Sequence, residues 1–197
     1  MTNNNTTKQV FNLEKIKSDL NDFSQDHYTY ELGDQVLEIL RDQDNQHMDP
    51  TQDDFRLVKL ALFHKRYNFT NDLDIVSGDY DGWDHMLRDI IKRFKPLAIL
   101  PVYMYEHGGI TISTTAFSCS WDSGQLGYAL ITKEDFKAEG LDKKKHDPKK
   151  IIEDFIKYYD RYLTEPSYSY NYNDDGYISG YFDDQLLEEL KNSGIAN

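Results

Sequence analysis

The chain has 197 residues, of which 39% are hydrophobic, and its 35 acidic and 22 basic side chains give a formal net charge of −13 at pH 7. This length and apolar content favour one folded domain over a disordered chain. The sequence has no run of about 18 apolar residues, and it begins without the basic and apolar segments of a signal peptide, so it predicts a soluble, cytoplasmic protein. The single cysteine, Cys119, excludes an internal disulfide and a cysteine-based zinc site.

In the first quarter of the chain, the apolar pattern predicts a helix and a hairpin. Residues 1–9 are polar and are expected to be disordered. Apolar residues at three- and four-residue steps then predict a helix over 10–23. The dipeptide Gly33-Asp34, between two runs of alternating polarity, predicts a β-hairpin over 28–42. A helix over 34–41 is the alternative, because apolar residues there also recur every fourth position.

The remaining elements alternate between strands and helices. Residues 55–64 fit either a strand or a short helix. No linker or repeat divides the sequence, so we expect a single α+β domain over 10–197: an antiparallel sheet built from hairpins, covered by two or three helices, with flanking terminal helices. The predicted helices are 82–94, 133–139, 148–163 and one from 183 to about 194, and the predicted strands are 97–105, 110–114, 127–132, 167–172 and 177–182.

The negative charge is concentrated in two stretches. Residues 19–54 contain eleven acidic side chains and one basic one, and residues 174–189 contain six acidic side chains and no basic one. Such surfaces repel duplex DNA and anionic lipid, and they attract a basic protein surface. The simpler alternative is that these side chains only keep the protein soluble. The candidate partner-binding residues are Asp42, Asp44, Asp49, Asp53, Asp54, Asp174, Asp175, Asp183, Asp184, Glu188 and Glu189.

The predicted loop SCSWDSGQ carries a second candidate site. One interpretation is a catalytic site with Ser123 as nucleophile, His107 as base, and Asp122 or Glu106 orienting the imidazole. The G-x-S-x-G motif of a nucleophile elbow is absent, so the catalytic interpretation rests only on the types of residue present and not on a motif. The alternative is a structural loop in which Asp122 accepts backbone N–H groups and Trp121 is anchored in the core.

Two other groups of residues have the composition of metal ligands without the spacing. The histidines lack the i, i+4 pair of a zincin, and the acids lack the order of an EF-hand loop. We therefore predict neither a metal ion nor a cofactor. These groups are His64, His85 and His107, and Asp72, Asp74, Asp79 and Asp81.

Tyrosines recur at strand spacing in the last predicted hairpin. The alternation predicts that Tyr168, Tyr170 and Tyr172 share one face, and that Tyr177 and Tyr181 share a face of the opposing strand. Cross-strand aromatic packing explains these residues. A partner-binding face is the alternative, because tyrosine is enriched in interfaces.

Three segments carry longer motifs: FHKRYNF at 63–69, which precedes a tryptophan-containing helix, LPVYMYEHGGITISTTAFSCSWDSGQLGYALITKE at 100–134, and YYDRYLTEP at 158–166. Together they resemble an uncharacterised family of proteins from bacteriophages and mobile elements of Gram-positive bacteria. The pattern of that family is similar to L-Y-x-Y-[DE]-H-x-G-I-T-[IM]-x-T followed by F-S-C-x-W-D-S-G-Q-[VL]-G. The matching residues are His107, Gly109, Trp121, Asp122, Ser123, Gly124, Gln125 and Gly127.

The resemblance implies a small accessory protein of a phage or mobile element. With the acidic stretches, this context predicts an inhibitor of host defence, of the anti-CRISPR or anti-restriction type, in the bacterial cytoplasm. Its carboxylates would mimic DNA in the basic groove of a nuclease or CRISPR effector, without binding nucleic acid or membrane. One alternative is a small-ligand-binding protein or hydrolase with its site at His107 and the Trp121–Gln125 loop. Another is a structural or regulatory protein that acts as an oligomer.

Overall fold

The computed structural model describes residues 9–22, 25–43, 45–53 and 56–197. Within them the chain contains helices and antiparallel strands, which confirms the α+β class. The strands form two four-stranded sheets rather than the single sheet that we expected. The predicted disorder of residues 1–9 falls almost wholly outside the described residues.

The elements follow the predicted order, and the helices among the described residues lack the length and apolar character needed to cross a membrane. Two short 3₁₀ turns, Gln46–Met48 and Ser77–Asp79, lie between them. The elements are α1 (Leu13–Asn21), β1 (His27–Leu32), β2 (Gln35–Arg41), β3 (Lys59–Leu62), α2 (Trp83–Phe94), β4 (Ala98–Glu106), β5 (Ile110–Ser113), β6 (Ser123–Ile131), α3 (Lys133–Ala138), α4 (Pro148–Thr164), β7 (Tyr168–Tyr172), β8 (Tyr177–Tyr181) and α5 (Asp183–Asn192).

The chain divides by contact into two compact units. The terminal unit comprises Met1–Met48 and Glu165–Asn197, and the central unit comprises Asp49–Thr164. The single domain over 10–197 stays a prediction.

The terminal unit contains a sheet of order β1-β2-β7-β8 in which each neighbouring pair is antiparallel. The hairpin around Gly33 and Asp34 is confirmed, and the helix proposed as its alternative is wrong. Strand β2 shows why: Leu37 and Ile39 are fully buried, whereas the residue between them is only half-buried, as strand alternation requires.

Helices α1 and α5 cover one face of this sheet and close its core. The Asn12 side chain caps α1 by accepting the N–H of Lys15 at 2.9 Å. A short parallel bridge joins Phe11 to Ala196, and the Asn197 N–H donates to the Phe11 carbonyl at 3.0 Å. The core residues are Phe11, Ile16, Leu20, Tyr28, Leu37, Ile39, Tyr168, Tyr170, Leu186, Leu190, Ile195 and Ala196.

The tyrosines of the β7–β8 hairpin only partly follow the prediction. Tyr168 and Tyr170 lie in the core, with Tyr172 packed against it, so these three side chains do share a face. A β-bulge between β7 and β8 changes the register, so that Tyr181 pairs with Tyr168. Tyr177 instead donates to Glu38 on the opposite face at 2.8 Å. The predicted common face for Tyr177 and Tyr181 is therefore wrong.

The central unit contains a sheet of order β3-β6-β4-β5, with apolar layers on both faces. Within the ambiguous segment at 55–64, Lys59–Leu62 form strand β3, and residue 55 lies outside the described residues. In the central strand β6, Tyr128 and Leu130 pack with α2, whereas Ala129 and Ile131 pack with α3 and α4. Burial of both faces explains why the predicted strand at 127–132 is an almost continuous apolar run.

A buried arginine fixes the segment that leads into β3. The Arg56 side chain is 9% exposed, and its guanidinium donates to the backbone carbonyls of Thr51 and Val58 and pairs with the Asp72 carboxylate. The second oxygen of Asp72 accepts the N–H of Leu60 at 2.7 Å. One ion pair therefore connects two loops to the first strand of the central sheet.

Candidate functional site

The segment around His107 lies at one end of the central sheet, where β4 ends and β6 begins. Tyr105 pairs with Ser123 in the antiparallel β4–β6 ladder, and the Glu106 N–H donates to the Asp122 carbonyl at 2.8 Å. This pairing brings His107 and Asp122 together, with 3.5 Å between Nδ1 and Oδ2. The predicted contact between histidine and Asp122 is therefore present.

The other two members of the predicted catalytic group, Ser123 and Glu106, bind residues other than His107. The Ser123 hydroxyl donates to the backbone carbonyl of Cys119, and the structure shows no hydrogen bond between Ser123 and His107. Glu106 accepts from the Tyr67 hydroxyl at 2.6 Å and pairs with Arg66. The hydrogen bond to Glu106, followed by burial, raises the pKa of Tyr67. His107 therefore lies beside Asp122, whose carboxylate also accepts from the Cys119 thiol at 3.8 Å, but Ser123 is not placed as its nucleophile.

The Trp121 side chain contradicts the expectation that it anchors the loop in the core, because it is 94% exposed. The segment is held instead by the Ser123–Cys119 hydrogen bond and by ring packing of Phe117 on Tyr105, with centroids 5.7 Å apart. Ser123 and Gln125 also belong to strand β6 rather than to the predicted loop. The exposed indole is therefore available to a partner, whereas Ser123 is held by a hydrogen bond within the fold.

Replacement of Ser123 by alanine is expected to lower the free energy of unfolding by about 1 kcal/mol, because the half-buried carbonyl of Cys119 loses its donor. Replacement of His107 by alanine should change it by less than about 0.5 kcal/mol, since the imidazole is 74% exposed. Urea unfolding of the two variants measures both values. A larger loss for His107→Ala would contradict the structural role assigned to Ser123.

The predicted acidic residues belong mainly to the terminal unit. That unit has 16 acidic and five basic side chains, a net charge of −11, whereas the central unit has 19 and 17, a net charge of −2. Asp49 and Asp53 belong to the central unit, and Asp44 and Asp54 lie outside the described residues. The acidic stretch counted over residues 19–54 of the sequence therefore spans two units, because residues 19–48 belong to the terminal unit and residues 49–54 to the central unit.

Within the terminal unit, Glu188 and Glu189 lie on α5, and the other described acids of the predicted set lie at two opposite ends of the sheet. At one end, Asp174 and Asp175 form the β7–β8 turn, beside the β1–β2 turn that contains Asp34. The Val36 N–H donates to the Asn173 side chain at 2.8 Å and holds these turns together. At the other end, Asp42 follows β2, while Asp183 and Asp184 follow β8.

Several of these acids have local structural roles. The Asp183 and Asp184 carboxylates accept backbone N–H groups in the first turn of α5, at 2.7 and 2.9 Å. The Asp42 carboxylate accepts from the Ser167 hydroxyl at 3.0 Å, and Glu189 contributes to the raised pKa of Tyr170, whose main cause is burial.

Three of the predicted acids have no such role. Asp174, Asp175 and Glu188 are exposed and make no side-chain hydrogen bond or ion pair with the described part of the chain.

The residues considered as metal ligands do not assemble into a metal site in the described part of the chain. Within the described ranges, no group of three or more histidine, cysteine, aspartate or glutamate residues could hold a metal ion. Asp72 forms an ion pair with Arg56, and the Asp81 Oδ2 atom lies 3.8 Å from His85 Nδ1.

The sequence analysis gave no role to the segment FHKRYNF, yet it lines a cleft of the central unit. This cleft has a volume of about 810 Å³ and is also lined by Trp83 from α2. The alternation of aromatic and basic residues in the segment is a signal that could have identified it.

Comparison of the chain with protein-family models, with curated proteins and with solved structures gave no match.

Proposed function

We propose that this protein binds the basic, nucleic-acid-contacting surface of a host defence protein, such as a nuclease or CRISPR effector, through its acidic terminal unit. Bound there, it blocks access of DNA and acts as an inhibitor for a phage or mobile element. The observation that carries the proposal is the concentration of charge, because the terminal unit holds −11 of the total −13.

Charge of this density has a direct consequence for association. At physiological ionic strength the screening length is about 8 Å, so neighbouring carboxylates at the same end of the sheet act together on an approaching basic surface. Complementary charge mainly accelerates encounter, and it also excludes partners of like charge.

The two acidic ends support DNA mimicry in particular. They are separated by a five-residue strand, a distance of roughly 16 Å, which is of the same order as the ~12 Å width of the major groove. A protein groove that contacts two phosphate rows would therefore meet negative charge at a comparable separation. The hydrolase alternative has less support, because Ser123 donates to a backbone carbonyl instead of His107.

The test uses the purified chain to capture proteins at low salt from a Gram-positive lysate that contains a CRISPR or restriction system. The expected result is capture of a nuclease or effector that is released by duplex DNA as well as by salt, because both compete for the same basic groove. The recovered enzyme should regain DNA cleavage once the chain is removed.

The triple variant Asp174→Asn, Asp175→Asn and Glu188→Gln should slow association by about tenfold at low salt, with a smaller effect at high salt. Asp174 has φ 60°, a conformation that asparagine accepts readily, so the fold should be unchanged. Stopped-flow or surface-based kinetics with the captured protein measure the rate.

The matched control is Asp79→Asn, Glu139→Gln and Glu153→Gln, which removes the same charge from exposed positions of the central unit. This control should retain most of the association rate. Equal slowing by the two triple variants, or capture that duplex DNA does not reverse, would refute the proposed mode of binding.

A further inference from the structure

We propose that the cleft beside residues 63–69 is a binding site for a small ligand that combines an aromatic ring with a phosphate, a nucleoside monophosphate in its simplest form. The argument rests on the central unit alone and does not depend on the acidic surface. It uses a segment to which neither the fold nor the proposed function gives a role.

The cleft is formed where the chain leaves the sheet and returns. Residues 63–69 form a loop between β3 and the bridge that pairs Asn71 with Ala61. The Leu62 N–H donates to the Thr70 carbonyl at 3.1 Å and closes the base of this loop. Ser77 and Trp83 also line the cleft. A volume of about 810 Å³ lies within the range of small-molecule sites.

One side of the cleft is cationic. Lys65 and Arg66 are exposed and line it. The Arg66 guanidinium uses one nitrogen to pair with Glu106, which fixes its position and leaves its other N–H groups able to donate. The Nδ1 atom of His64 accepts the Arg66 backbone N–H at 3.3 Å, which leaves Nε2 as the ring nitrogen able to donate. These groups match the acceptor oxygens of a phosphate.

The cleft also has aromatic walls. Phe63, Tyr67, Phe69 and Trp83 line it, and the Tyr67 ring stacks on His64 with centroids 5.0 Å apart. The Tyr67 hydroxyl is held by Glu106 at 2.6 Å, so this ring is fixed before any ligand arrives. The rings of Phe63, Phe69 and Trp83 supply further aromatic surface for the π-face of a base.

The surroundings favour a small anion over a polymer. Asp81 and Asp84 line an adjoining depression together with Trp83. A polynucleotide would have to pass these carboxylates, whereas one phosphate needs only the cationic side of the cleft.

The test follows the fluorescence of Trp83 in the full chain carrying Trp121→Phe, which leaves Trp83 as the single tryptophan. Adenosine monophosphate should quench this signal with a dissociation constant below about 1 mM. Adenosine and inorganic phosphate should each bind at least about tenfold more weakly, because each makes only half of the contacts. Calorimetry on the unsubstituted chain provides an independent affinity.

Lys65→Gln should weaken the binding of adenosine monophosphate by about tenfold and leave the affinity for adenosine unchanged. The matched control Lys144→Gln removes the same charge from an exposed position outside the cleft and should have no effect. No saturable quenching below about 1 mM, or equal weakening by both lysine variants, would overturn the site. Affinity for phosphate alone, or for adenosine alone, equal to that for the nucleotide would overturn the assignment of the ligand.

Discussion

Replacement of Gly127 by alanine is expected to destabilise the central unit by about 3 kcal/mol or more, and it will prevent folding if the native stability is small. A Cβ atom at this position would lie 2.0 Å from the Ala61 carbonyl oxygen and 2.9 Å from the Leu62 Cα. These are backbone atoms of the neighbouring strand β3, so no side-chain rotation can relieve the contact. The sheet would have to separate along its central strand.

Urea unfolding followed by circular dichroism measures this loss. Gly124→Ala is the matched control, because it lies in the same strand and its added Cβ would meet no heavy atom within 4 Å. The control should stay within about 1 kcal/mol of the unsubstituted protein. Comparable stability of the two variants would show that β3 and β6 do not approach as described.

Replacement of Asp72 by asparagine is expected to lower the free energy of unfolding by about 1–3 kcal/mol, because the Arg56 guanidinium, whose side chain is 9% exposed, loses its counter-charge. The carboxylate also binds the Leu60 N–H, so its loss acts directly on the start of β3.

A double-mutant cycle separates the ion pair from these additional contacts. Arg56→Met removes the buried charge, so adding Asp72→Asn to that variant should cost far less than Asp72→Asn alone. The exposed pair Lys150–Asp154, at 2.6 Å, is the control, and Asp154→Asn should cause no measurable change. Additive losses for Arg56 and Asp72 would show that the two side chains are not coupled.

Most elements could be predicted because their signals are local. Turn glycines and asparagine or aspartate residues determine hairpins, and helix periodicity depends on neighbours three and four positions away. The division into two sheets was missed for a physical reason: which strands pair depends on contacts between distant segments. Strand β7 pairs with β2, for example, through Leu37 and Tyr172. Apolar patterning shows that a strand has a buried face without showing which neighbour covers it.

In the candidate sites, too, some side-chain contacts could be predicted from the sequence and others could not. The closeness of His107 and Asp122 could be predicted, because both flank strands that were expected to be adjacent. The direction of the Ser123 hydroxyl could not, since a backbone carbonyl competes for it. The exposure of Trp121 was also missed, because an indole in an otherwise polar segment is equally compatible with an anchor and a surface contact.

The terminal unit is assembled from two segments separated by the whole of the central unit. Strands β2 and β7 pair across more than 120 residues, so a ribosome must synthesise the central unit before the acidic sheet can close. Non-local pairing of this kind is slow, whereas hairpins and helices form early. Until translation passes residue 165, the β1–β2 hairpin has an edge without its native neighbour β7. Carboxylates such as Asp34 and Glu38 on that hairpin would then repel other nascent chains and limit aggregation before folding is complete.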